Sequence, residues 1–217
     1  MKFCAIIPDR GDRPELTAFC FRQLDRMTLK PNQIFHINTP PTGTGFDLIA
    51  RVIDGCYRAK AAGFDLCFIV ENDDFYPSDY FKKYEPYFEQ GDFFGQDYSD
   101  YYNLRNLTHN RFQHQYRASL FTTGFKLSAL NNFEWPDNRK PFLDIPLWQY
   151  ARHKRRIFVD SGAVGIKHNL GLCGGKGHQM YWPKNYDHGM NWLKKSVDQE
   201  AFTFYHSLAE KFNQKAA

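Results

Sequence analysis

Apolar residues near the start of this chain fall into short unbroken runs separated by helical stripes. Phe3 to Pro8 is a continuous apolar run ending at a proline, the pattern of a strand buried on both faces. A polar loop, Asp9 to Arg13, follows, and Pro14 opens a helix where its missing N–H costs nothing. Leu16, Phe19, Cys20, Leu24 and Met27 share one face of that helix. Gln33 to Asn38 reads as a second strand and Thr39 to Gly45 as a loop. The next helix carries Phe46, Ile49, Ile53, Cys56 and Tyr57 on one stripe and stops at Gly63. Phe64 to Val70 is again wholly apolar and predicts a central strand. The order β-α-β-α-β predicts a parallel, right-handed, nucleotide-binding half. Ligands bind such sheets at the carboxyl ends of the strands, so the loops after Pro8, Asn38 and Val70 form one candidate site.

The second half is less regular. The pattern predicts a helix over Asp79 to Phe88, a strand over Phe93 to Tyr98, and short helices over Phe125 to Phe133 and Asp144 to His153. Residues 99–117 show weak periodicity. Arg156 to Lys167 predicts a strand or hairpin, and Asn191 to Asn213 an amphipathic terminal helix. Residues 169–190 hold five glycines and a Tyr181-Trp182-Pro183 cluster, a loop long enough to serve as a lid.

Composition narrows the class. A chain of 217 residues with 42% hydrophobic content can bury a real core. Lys and Arg number 28 against 24 Asp and Glu, a net +4, which suits an anionic small molecule and does not by itself indicate nucleic acid. Aromatics reach 18%; most fill a core, and some can line a cleft for sugars or bases. Of five cysteines at wide spacing, with no C-x-x-C, four sit in apolar segments and read as buried thiols, which suggests a reducing compartment. No signal peptide or apolar stretch of spanning length is visible, so a soluble cytoplasmic protein is expected.

Phe68-Ile69-Val70-Glu71-Asn72-Asp73-Asp74 carries the strongest chemistry. Three carboxylates in four residues repel one another and call for a cation or solvent. Oxygen ligands of this kind suit Mg2+ or Mn2+. The same residues also read as an acidic turn with Asp74 capping the next helix.

The chain resembles the GT-A glycosyltransferases, in particular the large inverting family (family 2-like) that includes bacterial polysaccharide synthases. The resemblance rests on Ala5-Ile6-Ile7-Pro8, then Arg13-Pro14-Glu15-Leu16, Ala50-Arg51, Ala61-Ala62-Gly63, and a D-x-D-like Glu71-Asn72-Asp73 extended by Asp74. It covers residues 3 to about 90 well and the remainder loosely. It implies an α/β fold: a Rossmann-like, mostly parallel central sheet flanked by helices, with a C-terminal extension on the acceptor side. One domain over 1–217 is then expected, with 1–98 as the nucleotide-sugar half and 99–217 as the acceptor half.

The resemblance also implies roles. Pro8, Asp9 and Arg13 would line the base and ribose, with Asn38 and Arg51 completing the pocket. The usual acid after the second strand is absent, since His36-Ile37-Asn38-Thr39 stands there. Asp73 would be the main metal ligand, with Glu71 and Asp74 on ribose or metal. His168, or else His178, would supply a further ligand to Mn2+ or Mg2+. Lys167 or Lys176 would neutralise the departing diphosphate. Asp144 matches the base of inverting members, and it reads also as a helix cap. Thr122-Thr123-Gly124-Phe125 resembles a donor-sugar contact, and Trp135, Trp148, Tyr181 and Trp182 are candidates to stack on an acceptor.

The expected reaction is metal-dependent, inverting sugar transfer from a nucleotide-sugar donor to a glycan or other hydroxyl acceptor. The basic run Arg152 to Arg156 and the stretch Arg105 to Arg117 keep a hydroxymethylated DNA base open as acceptor. A nucleotidyltransferase would carry a lysine-containing, glycine-rich loop after the first strand, whereas Asp9 to Arg13 has one glycine and no lysine. A non-catalytic carbohydrate-binding module would not need the clustered acids.

Overall fold

The first apolar run forms β1 (Phe3–Pro8), with every residue buried. The computed structural model describes residues 1–40, 45–137, 140–168 and 185–214. Pro14 opens α1 (Pro14–Asp25) as the proline rule requires. β2 (Gln33–Ile37), α2 (Leu48–Ala61) and β3 (Leu66–Ile69) follow. β1 lies between β2 and β3 and runs parallel to both, pairing Ile7 with His36 and Ile6 with Ile69. The stripe buried by α2 is Ile49, Val52, Cys56 and Ala59. Tyr57, expected on that stripe, is 67% exposed because it stands about 100° around the helix from Cys56. Gly63 takes a φ of +75°, the left-handed conformation that ends a helix without a Cβ clash.

Beyond β3 come α3 (Tyr80–Tyr84), a 3-10 turn, β4 (Phe93–Gly95) and the hairpin β5 (Tyr98–Asn103) and β6 (Thr108–Gln113). β7 (Gly124–Lys126), α4 (Asp144–Tyr150), β8 (Arg156–Phe158) and β9 (Val164–Lys167) complete the middle of the chain. β10 (Asn185–Tyr186), α5 (Asn191–Ser196) and α6 (Gln199–Gln214) close it. The central sheet has six strands in the order β2-β1-β3-β7-β4-β8. Only β7 opposes the others, pairing antiparallel with both β3 and β4. One face packs under α2 and α4 through Ile6, Ile49, Val52 and Trp148. The other packs under α1 and α3 through Ile7, Cys20, Leu24, Phe68 and Tyr80. This is the mixed α/β, mostly parallel, helix-flanked architecture expected.

Four local expectations change. The helix expected over Phe125 to Phe133 is the end of β7 and a 3-10 turn at Leu127–Leu130, because β7 fills the gap between β3 and β4. Arg156 to Lys167 is no hairpin: β8 joins the central sheet, while β9 pairs parallel with β5. The weakly periodic stretch at 99–117 contains β5 and β6, part of a second sheet ordered β10-β6-β5-β9. The terminal helix breaks at Val197, which is extended, and Asp198 caps α6 by accepting the Ala201 N–H at 2.8 Å.

The second sheet is fastened to the end of β3. Asp74 Oδ1 accepts the Ile166 N–H at 2.7 Å, and Phe75 bridges Val164. A third core cluster joins Leu16 and Phe19 of α1 to Tyr102, Val164 and Ile166 of this sheet and to Leu193, Ala201, Tyr205 and Leu208 of the terminal helices. No helix among the described residues is long and apolar enough to cross a membrane.

Candidate functional site

A cavity of about 360 Å³ opens where the carboxyl ends of β1 and β3 meet the second sheet. Pro8, Arg10, Arg13, Phe46, Asp47 and Arg51 line it from the first half of the chain. Glu71, Asn72 and Asp73 enter from the turn after β3, and Lys167 and His168 from the end of β9. Arg117, Phe142, Asp144 and Ile145 close the far side. Neither the parallel strands nor the second sheet alone would enclose this space.

The turn at 71–74 is held from below. Gln23 of α1 donates to the Asp74 carbonyl at 3.0 Å and accepts the Tyr76 N–H at 2.9 Å. Tyr76 in turn accepts the Glu71 N–H at 2.9 Å. Asn72 is buried and donates to Asp9 at 3.0 Å and to Thr17 at 2.7 Å. Glu71 and Asp73 are thereby presented to the cavity, while Asp74 is turned inward and fully buried.

Asp73 Oδ2 lies 3.0 Å from His168 Nε2 and pairs with Arg13 Nη1, which is itself 3.3 Å from that imidazole nitrogen. Arg13 also donates to Asn72 Oδ1 at 3.1 Å. Burial opposes ionisation of Asp73, but Arg13, His168 and Lys167 outweigh it and hold the carboxyl below its ordinary range. Glu71 has less help: burial, against the attraction of Lys167 and with Asp73 and Asp144 nearby, pushes its pKa up to about 7. Burial raises Asp74 well above the usual carboxylate value, although Lys167 Nζ stands 3.9 Å away. Lys167 is part-buried, which opposes its charge, yet Asp74, Tyr101, Asp73 and Glu71 keep it firmly protonated. Its ammonium lies 5.1 Å from the centre of the Tyr101 ring.

These residues fit a divalent cation. Glu71, Asp73 and Asp74 each offer a carboxylate oxygen, all within 4.8 Å of one another, and the His168 nitrogen converges on Asp73. Oxygen donors with one imidazole suit Mn2+ or Mg2+. Arg13 shares the same Asp73 oxygen, so a cation there would need the guanidinium to withdraw.

Other expected residues are placed differently. Asp9 is buried beneath the cavity and fully engaged: it accepts from the Gly11 N–H, Thr17 and His36 at 2.8 Å and from Asn72 at 3.0 Å. It organises the loop after β1 and does not line the cavity. Arg51 lines it but also latches β1 to β2, donating to the Asp9 carbonyl at 2.6 Å, the Ile37 carbonyl at 3.1 Å and Asp47 at 2.8 Å. Asn38 is exposed and outside the lining. Thr122 and Thr123 are fully buried, and Trp148 is a core residue that donates to Thr123 at 2.9 Å. Trp135 is part-buried against the same core. His178, Lys176, Tyr181 and Trp182 lie outside the described residues.

Asp144 is the first residue of α4 and pairs with Arg117 Nη1. Burial raises its pKa against the pull of Arg117. Arg117 had entered only as the end of a basic stretch and Phe46 only on a helical stripe, and Arg10, Asp47 and Phe142 carried no site role in the sequence. Of these, only Asp47 gave a local signal, standing four residues before Arg51 at helical ion-pair spacing.

No protein-family model matches the chain, and no curated protein matches it in sequence. Among solved structures it is similar to S. aureus TarS residues 1–349 in complex with UDP-GlcNAc, with TM-score 0.51 and 14% identity over 77% of this chain and 59% of that one. The same TarS fragment with UDP gives TM-score 0.50 and 11% identity over 76% and 60%. A197 from STIV aligns at 15% identity over 72% of this chain and 80% of that one, with TM-score 0.47. The chain thus spans about three fifths of the TarS fragment it matches. At this identity the likeness is one of fold: the helix-flanked, mostly parallel sheet of this chain is the architecture on which TarS was crystallised with a nucleotide sugar.

Proposed function

We propose that the protein transfers a sugar from a nucleotide-sugar donor to an acceptor hydroxyl. One observation carries this reading: a single cavity holds an acid–histidine–cation cluster at Asp73, His168, Arg13 and Lys167 and, on its far side, the separate carboxylate Asp144. Sugar transfer needs both parts, one for a departing diphosphate and one for a proton. The GT-A resemblance and the fold shared with a protein crystallised with UDP-GlcNAc support the same assignment.

In this mechanism the nucleoside lies along Pro8, Arg10, Phe46, Asp47 and Arg51, and the diphosphate beside Lys167 and Arg13. Asp73 and His168, with Glu71 and Asp74 adjacent, would hold Mn2+ or Mg2+, which when bound stabilises charge on the leaving diphosphate. Arg13, released from Asp73, turns its guanidinium to the phosphate oxygens, where a bidentate donor binds best. The acceptor oxygen bonds to the anomeric carbon as the bond from that carbon to phosphate breaks, and the electron pair leaves with the nucleoside diphosphate. Asp144 takes the hydroxyl proton, and its raised pKa makes it the stronger base. Attack opposite the leaving group inverts the anomeric centre.

A DNA acceptor would find three cations of the stretches that suggested it already engaged by carboxylates. Arg111 is held by both oxygens of Asp100, Arg117 by Asp144, and Arg155 by both oxygens of Asp92.

A thermal-shift screen of UDP, GDP, dTDP and CMP sugars with and without Mn2+ tests the reading. A donor at a hundred times its Kd adds about 2.7 kcal/mol, or roughly 5–10 °C for a chain of this size. Silence from every nucleotide sugar would overturn it. Asp144→Asn is expected to lower kcat at least about a hundredfold while keeping the donor-induced shift; normal turnover would make Asp144 a structural residue only.

A further inference from the structure

Eight large hydrophobic side chains are exposed among the described residues, and three of them, Phe112, Phe142 and Ile145, line this one cavity. Phe142 is 49% exposed, Ile145 40% and Phe112 39%. The chain holds two of them outward by anchoring their neighbours. Leu143, Leu147 and Trp148 are buried in the core and fix the start of α4, so Phe142 and Ile145 flank Asp144 at the cavity mouth. Phe112 reaches the cavity from the end of β6, its ring 5.3 Å from that of His114. Each half-buried side chain still forgoes about 1 kcal/mol of burial, and two part-exposed rings with an aliphatic side chain lining one cavity give it the apolar wall of a binding surface.

The cations among the described residues that line the cavity are already matched. Arg117 pairs with Asp144, and Lys167 with Asp74. Burial and the neighbouring Arg117 also keep His114 neutral at ordinary pH. An anionic acceptor would therefore have to break an existing ion pair to gain a partner among these lining residues. A ring with one apolar C–H face and hydroxyls at its edge needs no such exchange: its face covers the phenyl groups while a hydroxyl reaches the carboxylate.

Taking the sugar-transfer reading as its basis, we propose that the acceptor is an uncharged saccharide, seated on Phe142, Ile145 and Phe112 with one hydroxyl directed to Asp144. Phe142 is then a specificity-determining residue for the acceptor.

Saturation-transfer NMR on the whole protein, with a panel of neutral methyl glycosides, their phosphorylated counterparts and a ten-residue oligothymidylate as probes, tests this without any donor. At least one neutral glycoside is expected to bind with a Kd in the millimolar range, tighter than its phosphorylated form. Phe142→Ala should weaken that binding at least fivefold and Phe142→Tyr should restore it; Phe112→Ala, at the other wall, should also weaken it. Both positions are exposed, so the variants should melt close to wild type, and a melting curve checks this. Binding of no neutral glycoside, tighter binding of the phosphorylated sugars or the oligonucleotide, or an unchanged affinity in both alanine variants would each overturn the proposal. Failure here with an intact response to nucleotide sugars removes only the acceptor assignment, whereas loss of that response removes sugar transfer itself.

Discussion

His114 shows how a single side chain near the site ties stability to pH. It is buried, with Nε2 2.9 Å from Ser99 Oγ and 3.0 Å from Ser119 Oγ. Tyr101 joins the same group, 2.7 Å from Ser119. Burial, with Arg117 beside it, pushes its pKa from 6.5 down to about 4. Between those values the unfolded chain binds the extra proton, so stability rises with pH across the window and is level in this group on either side of it. The full effect is about 3 kcal/mol. Urea melts from pH 4 to 7 should show the wild type losing more stability on acidification than His114→Phe; identical slopes would contradict the assignment. This role was not legible locally, because a histidine in a polar stretch looks alike whether it reaches water or two buried serines. Asp9 carries the same lesson. Its position after the first strand was readable, but whether its oxygens face a ligand or the Thr17, His36 and Asn72 side chains depends on residues up to 63 positions away.

At the scale of elements, Gly55 separates intrinsic propensity from packing. It lies inside α2, where alanine is ordinarily better by about 1 kcal/mol. A Cβ at this position would stand 2.4 Å from Ile6 Cγ2, on β1. Ile6 is fully buried and β-branched, so it has little room to turn aside. Overpacking of this kind costs about 1–3 kcal/mol, and the net change for Gly55→Ala should be destabilising. A higher melting temperature in the variant would show that the helix can lift from the strand. Regular elements such as β1, α1 and α2 were legible because each repeats its own period over enough residues. β5, β6 and β7 were not, since β7 is three residues long and takes its identity from β3 and β4 on either side. The break between α5 and α6 was hidden for a related reason: the apolar stripe runs through Val197 without losing phase.

For the whole molecule, Tyr205 tests how the parts are joined. It is fully buried in α6, edge-on to Phe19 of α1 at 5.4 Å, in the cluster that also holds Tyr102 and Ile166 of the second sheet. Tyr205→Ala should cost about 3–5 kcal/mol, as large-to-small changes of buried rings do. Its hydroxyl has no hydrogen-bond partner among the described residues, so Tyr205→Phe should be neutral or stabilising. Because that cluster links both halves, calorimetry should show one transition for the wild type; two would mean that residues 1–98 and 99–217 melt apart.

The sequence by itself determined the β-α-β-α-β half, the direction of its strands and the placing of Glu71 to Asp74 at their carboxyl edge, because these follow from local periodicity and from the handedness of crossovers. It also brought Asp144 and His168 forward as candidates. Only the tertiary structure decided that Asp74 turns inward to tie β9, that Arg13 rests on Asp73, and that Phe142 stands at the mouth beside Asp144. Those outcomes are contests among groups distant in the chain for the same carboxylate oxygen or the same buried space, and no stretch of sequence contains both contestants.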